Sequence, residues 1–150
     1  AAGYSNGGFM SYYLACNSKK FAAIGSVAGT MLDDSYQSCN ASFPTAMINI
    51  HGTDDFDVPY DGNIYYPSIP DVVDWWKNFN NTPNEDLLTN QDGSIEQYKY
   101  YNDAGDIYVE HIKIIGGEHY WDDKLNYDGK NTSALIWDFV SSYNIDGIID

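Results

Sequence analysis

Arginine is missing altogether from these 150 residues, and seven lysines stand against 22 aspartates and glutamates, for a formal charge of −15. A surface of that sign repels phosphate backbones and anionic bilayers, so neither nucleic acid nor membrane is expected as a partner; neutral substrates stay open. No apolar run approaches the roughly 20 residues that a membrane-spanning helix needs. Cysteine is scarce as well. Cys16 and Cys39 are the only two, and neither sits in a C-x-x-C or other zinc-type spacing, so no metal site through them is expected; no metal and no cofactor is expected elsewhere in the chain either. The pair has two readings. One is two separate buried thiols. The other is a disulfide tying the end of the first helix to the segment before a later strand, contributing about 3 kcal/mol and implying an oxidising compartment.

What is present is enough for one packed domain: 43% of residues are hydrophobic and 16% aromatic. The chain is organised around Gly3-Tyr4-Ser5-Asn6-Gly7, followed by Gly8 and a helix-like run. In such a G-x-S-x-G elbow the serine occupies a strained strand-to-helix turn. Small neighbours, here Gly3 and Gly7, avoid clashes, and the amide after the serine, that of Asn6, faces the place where an oxyanion forms. The alternative is an ordinary glycine-rich turn, and only context decides. An elbow needs a buried strand ahead of it, yet Ala1-Ala2 precede it directly. The chain is therefore expected to be the C-terminal part of a larger catalytic domain.

Further along, Phe9, Met10, Tyr13, Leu14 and Cys16 recur at helical spacing. Residues 21–28 and 45–50 are short apolar runs of the kind buried on both faces of a parallel sheet. Residues 31–44 and 54–67 read as loops. Ser68 and Pro70 open a helix whose stripe is Val72, Val73, Trp76 and Phe79. Residues 81–93 are polar. Residues 94–101 and 107–115 alternate around a turn at 103–106, as a hairpin does. Asn131 can cap a last helix carrying Leu135, Ile136, Phe139 and Val140. Helices alternating with buried strands argue for an α/β fold with a mostly parallel sheet, helices on both faces, and function at the C-terminal strand ends.

Three loops then fall on one edge: the Ser5 turn, the loop after Gly52 and the loop after Ile115. A serine nucleophile needs a base and a carboxylate to orient it, and in α/β-hydrolases the chain order is serine, acid, histidine. Ser5, the cluster Asp54, Asp55 and Asp57, and then His119 follow that order. His51 precedes the cluster, and His111 lies inside a strand.

These residues resemble the secreted esterases that group polyhydroxybutyrate depolymerase-like proteins with feruloyl and acetylxylan esterases. Gly3-Tyr4-Ser5-Asn6-Gly7-Gly8 is similar to the family elbow. His51-Gly52-Thr53-Asp54-Asp55, with Val58-Pro59-Tyr60, is similar to its H-G-T-x-D-x-x-V-P-Y, and Gly116-Gly117-Glu118-His119-Tyr120-Trp121 to its G-G-x-H-x-W. The resemblance implies the C-terminal portion of an α/β-hydrolase domain whose N-terminal strands are absent. It also implies Ser5 as nucleophile, Asp55 as acid and His119 as base, with Asn6 giving half the oxyanion hole. A neutral ester substrate follows: a feruloyl or acetyl ester of plant polysaccharide, or a polyhydroxyalkanoate. Secretion or a periplasmic location follows too. Tyr4 and Trp121, beside nucleophile and base, are the candidate substrate-binding residues. The chain departs from the family where Asp122-Asp123 replace the usual proline and glycine. It also lacks the strands before the elbow and the loop supplying the second oxyanion donor, so turnover by this segment alone is expected to be poor. A non-catalytic fragment or binding module, and less so a serine peptidase, are the competing readings. Tyr65-Tyr66 and Tyr100-Tyr101 read as half-buried packing. The tail from Asn144 through Asp146-Gly147 to Asp150 has a partial calcium-loop pattern. Oligomeric state is left open.

Overall fold

A computed structural model describes residues 1–122 and 125–149. Asp123 and Asp150, named above, lie outside the described residues. The elements in order are β1 (Ala2–Tyr4), α1 (Asn6–Asn17), β2 (Ala23–Val27), α2 (Asp33–Ser38), β3 (Ala46–Gly52), α3 (Ile69–Phe79), β4 (Asn84–Thr89), β5 (Ile95–Tyr101), β6 (Ile107–Ile114), α4 (Thr132–Val140), β7 (Tyr143–Asn144) and β8 (Gly147–Ile148). Six strands form one sheet in the order β1-β2-β3-β6-β5-β4. The pairings from β1 to β6 are parallel, and those of β6 with β5 and β5 with β4 are antiparallel. The protein is thus a mixed α/β fold with a mostly parallel sheet and flanking helices.

The central strands are buried along their whole length, which is why β2 and β3 read as mostly apolar runs, interrupted only by the buried polar residues Ser26, Asn49 and His51. Their side chains still alternate between two cores. Ala46, Ile48 and Ile50 of β3 join Val27 and Ile112 under Leu135, Ile136 and Phe139 of α4. Met47 joins Ile24 and Val109 under Tyr12 and Ala15 of α1 and Val72, Val73 and Trp76 of α3. Helices therefore cover both faces. Ser68 caps α3 by accepting from the Asp71 amide at 3.1 Å, and Asn131 caps α4 through the Ala134 amide at 2.9 Å. Cys16 and Cys39 are bonded to each other, joining the end of α1 to the end of α2. No helix among the described residues is long and apolar enough to cross a membrane.

Several expectations need correction. The buried side of α1 is Gly8, Ser11, Tyr12, Ala15 and Cys16, while Met10 and Tyr13 are about half exposed at 54% and 52%. The face toward the sheet is small at Gly8, Ser11 and Ala15 and carries one large residue, Tyr12, which is wholly buried. Residues 31–44 are not all loop. α2 forms there with no buried residue, held by Asp33 and Asp34 at its N-terminus and by Gln37 donating to Asp33 at 2.9 Å. Residues 81–93 contain β4, a polar edge strand paired with β5. Tyr65 is 67% exposed rather than half-buried. The tail is a β7–β8 hairpin turning at Ile145-Asp146 into Gly147, whose φ of 121° suits glycine, and Asn144 Oδ1 accepts the Asp146 amide at 2.8 Å, as a turn residue does.

Candidate functional site

Ser5 sits between β1 and α1 with φ 51° and ψ −117°, a left-handed conformation costly for a non-glycine residue. The surroundings enforce it. The Ser5 amide donates to the Val27 carbonyl at 2.8 Å, while its own carbonyl accepts from Gly8 at 2.8 Å and Phe9 at 3.1 Å. The turn leaves no room for a side chain at Gly3, where a Cβ would stand 2.5 Å from the Gly7 carbonyl carbon. The second small position is Gly8 rather than Gly7. A Cβ on Gly8 would meet Ser26 Oγ at 2.4 Å, whereas one on Gly7 would meet nothing within 4 Å. Ser5 is the N-cap residue of α1, yet its hydroxyl makes no capping bond. That hydroxyl points instead at His119.

His119 and Asp55 reach Ser5 because the loops after β3 and β6 are laced together. The Thr53 amide donates to Ile114 O at 2.9 Å, the Asp54 amide to Gly117 O at 2.9 Å, and the Gly116 amide to Thr53 Oγ1 at 2.8 Å. Gly52 permits this approach, since a Cβ there would fall 2.1 Å from Gly117 O. His119 Nε2 lies 2.9 Å from Ser5 Oγ, and His119 Nδ1 lies 2.8 Å from Asp55 Oδ2. A carboxylate only accepts, so Nδ1 carries the proton and Nε2 is left to accept from the serine hydroxyl. The sequence places these residues 114 and 64 positions apart.

Asp55 is buried, with 3% of its surface exposed. Its Oδ1 accepts from the Asp57 amide at 3.0 Å and the Val58 amide at 2.8 Å. Burial alone would push the carboxyl up. Hydrogen bonds from His51, the Val58 amide and His119 overcome that and hold it at about 2. The acid is therefore an anion throughout the neutral range. Asp54 lies on the exposed side of the turn with Oδ1 3.2 Å from the Thr53 hydroxyl, and Asp57 offers its backbone amide rather than its carboxylate to this arrangement. Asp55, Asp57 and His119 could in principle hold a cation, their ligand atoms lying within 4.8 Å of one another. Two of those three groups are already committed to the contacts above.

The amide of Asn6 is the first of α1, with no carbonyl one turn earlier to accept from it, at the positive end of the helix. Beside Asn6 opens an apolar groove of about 370 Å³ lined by Phe9, Met10, Tyr13, Met31 and Leu32. Tyr4 donates its hydroxyl to the His119 carbonyl at 2.8 Å, and its ring is 5.1 Å from the imidazole. Trp121 is half-buried against the α4 core, and its indole N–H donates to Ser133 Oγ at 3.1 Å. Of the two aromatics flanking the site, Tyr4 is thus in direct contact with the imidazole loop while Trp121 is turned toward α4.

Sequence reasoning passed over His51. Its Nε2 lies 2.8 Å from the Val58 carbonyl and 3.2 Å from Asp55 Oδ2, with both side chains wholly buried. His111, also set aside, is buried in β6 beneath the same region, with Tyr60 Oη 2.9 Å from Nε2 and Asn49 O 3.3 Å from Nδ1. Burial lowers its pKa to about 3, so it is neutral. A spacing of four between His51 and Asp55 was the signal available in the sequence.

No family model matches the chain, and no curated protein matches it.

Proposed function

We propose that the protein is a serine ester hydrolase of the α/β-hydrolase type, acting on neutral carboxylic esters outside the cytoplasm. The observation that most supports this is the continuous relay from Ser5 Oγ through His119 to Asp55, set on a strained turn at the C-terminal ends of parallel strands. In that reading Ser5 Oγ attacks the ester carbonyl as its proton passes to His119 Nε2. Asp55 keeps the other proton on Nδ1 and stabilises the imidazolium. The Asn6 amide donates to the oxyanion. His119 then protonates the leaving alkoxide, and water, activated by the same nitrogen, releases the acid from the acyl-enzyme.

The surroundings support a substrate class. A charge of −15 disfavours anionic esters. The groove beside Asn6, with Phe9 and Tyr13 in its wall, suits an apolar or aromatic acyl group. That character favours a feruloyl or polyhydroxyalkanoate ester over an acetyl ester, whose acyl group is much smaller than the groove. The Cys16–Cys39 disulfide favours an oxidising compartment, consistent with export. The test compares kcat/KM for methyl ferulate, an acetylated sugar and a hydroxybutyrate oligomer, with Ser5→Ala as control. Hydrolysis abolished by Ser5→Ala and strongest for the larger acyl groups is expected. Hydrolysis indifferent to Ser5→Ala would sink the proposal.

A further inference from the structure

His51 belongs to the face of the sheet covered by α1 and α3, at the end of β3. It is 1% exposed. Its Nε2 faces the Val58 carbonyl at 2.8 Å, and a carbonyl oxygen only accepts, so Nε2 carries a proton. That N–H also reaches Asp55 Oδ2 at 3.2 Å, the same oxygen that accepts from His119 Nδ1. The opposite ring nitrogen, Nδ1, is buried with no hydrogen-bond partner among the described residues. The ring therefore presents one donating edge to the acid and one bare edge to the interior. Tyr60 packs edge-on against it with ring centroids 6.1 Å apart, and Tyr60 donates its hydroxyl to His111 Nε2, whose Nδ1 donates to the Asn49 carbonyl. Each ring in this layer is fixed by the next.

We propose that His51 is a positioning residue for the Ser5–His119–Asp55 relay. Anchored on the Val58 carbonyl, its Nε2–H holds Asp55 Oδ2 where that oxygen accepts the His119 Nδ1 proton. The two amides on Oδ1 fix one end of the carboxylate and leave it free to swing about that end. His51 fixes the other. Without it, Oδ2 has only His119 as a partner, and the imidazole loses its registration on Ser5. The kinetic part of the inference rests on the hydrolase reading; the geometric part does not.

The experiment combines ¹⁵N-histidine NMR of the wild-type protein with two variants, His51→Leu, which keeps apolar bulk without a donor, and His51→Gln, whose side-chain N–H₂ can take the place of Nε2–H. In the wild type, His51 is expected as the Nε2–H tautomer, and His119 as an Nδ1–H shifted far downfield by the carboxylate. His51→Leu should weaken that downfield signal. It should also slow acylation of Ser5 by p-nitrophenyl acetate roughly 10- to 100-fold, the loss falling on kcat rather than KM, as expected for one hydrogen bond to a buried charge. His51→Gln should restore most of both. An Nδ1–H tautomer for His51 in the wild type overturns the proposal, and that readout stands even if the leucine variant does not fold. So does a folded His51→Leu with unchanged signal and rate, or a folded His51→Gln as impaired as the leucine variant. Failure of the hydrolase reading looks different: wild type leaves Ser5 unacylated while both histidine signals behave as stated.

Discussion

Replacing Asp55 by Asn is the sharpest perturbation of the relay, because the two residues have the same shape. Oδ1 accepts two backbone amides, from Asp57 and Val58, so the single carbonyl oxygen of Asn is drawn to that side. Its NH₂ is then forced against two donors, His119 Nδ1–H and His51 Nε2–H. The clash is relieved if His119 moves its proton to Nε2, which points that proton at Ser5 Oγ and removes the base. A wrong tautomer of this kind lowers kcat by about ten-thousand-fold in other triads. Stability changes as well. Asp55 is held at about 2 against about 3.9 in an unfolded chain, a depressed value worth about 2 to 3 kcal/mol. Because the folded value is the lower one, that contribution is full above about pH 4 and is lost as the pH falls through about 2. The assay is kcat/KM for p-nitrophenyl acetate together with urea unfolding at pH 7 and pH 3. Asp55→Asn should lose turnover and lower stability more at pH 7 than at pH 3. If Asp57→Asn abolishes turnover while Asp55→Asn does not, the assignment of the acid is wrong.

Other outcomes follow from the same contacts. Reduction of Cys16–Cys39, which closes a loop of 23 residues, should lower the unfolding free energy by about 3 kcal/mol, read from urea curves with and without dithiothreitol; no change would mean that the loop stays ordered when unlinked. Gly52→Ala should cost about 1 to 3 kcal/mol in thermal unfolding and separate the loops carrying Asp55 and His119, since its Cβ would overlap Gly117 O; wild-type turnover in this variant would contradict the lacing described above. Tyr4→Phe, which removes only the hydroxyl bonded to the His119 carbonyl, should cost about 1 kcal/mol and reduce turnover less than tenfold. Trp76→Ala, at a wholly buried site, should destabilise by about 3 to 5 kcal/mol with little effect on KM.

The elements most legible in the sequence were those whose burial writes a pattern. β2 and β3 are buried on both faces and read as apolar runs, and α3 buries a regular stripe of Val72, Val73 and Trp76. α2 and β4 bury almost nothing. Their stability comes from backbone pairing, a disulfide at the end of α2 and local polar contacts, none of which leaves a hydrophobic period. The face of α1 is hard to read because three of its buried positions are the small residues Gly8, Ser11 and Ala15, with Tyr12 as the one large side chain among them. Ser5, Asp55 and His119 could be singled out because their motifs carry turn chemistry and a fixed chain order. Chain order does not single out His51, because order says which histidine follows the acid and nothing about which one lies behind it. Only the turn from Gly52 to Asp55 brings the two into contact.

The central claim is that Ser5 is a nucleophile activated by His119. Rapid-quench mass spectrometry of the protein mixed with p-nitrophenyl acetate tests it most directly. One acetyl group on the peptide containing Ser5, formed in a burst with p-nitrophenol and absent in both Ser5→Ala and His119→Ala, is the predicted result. Acetyl groups scattered over lysines and tyrosines, unchanged in those variants, would contradict it.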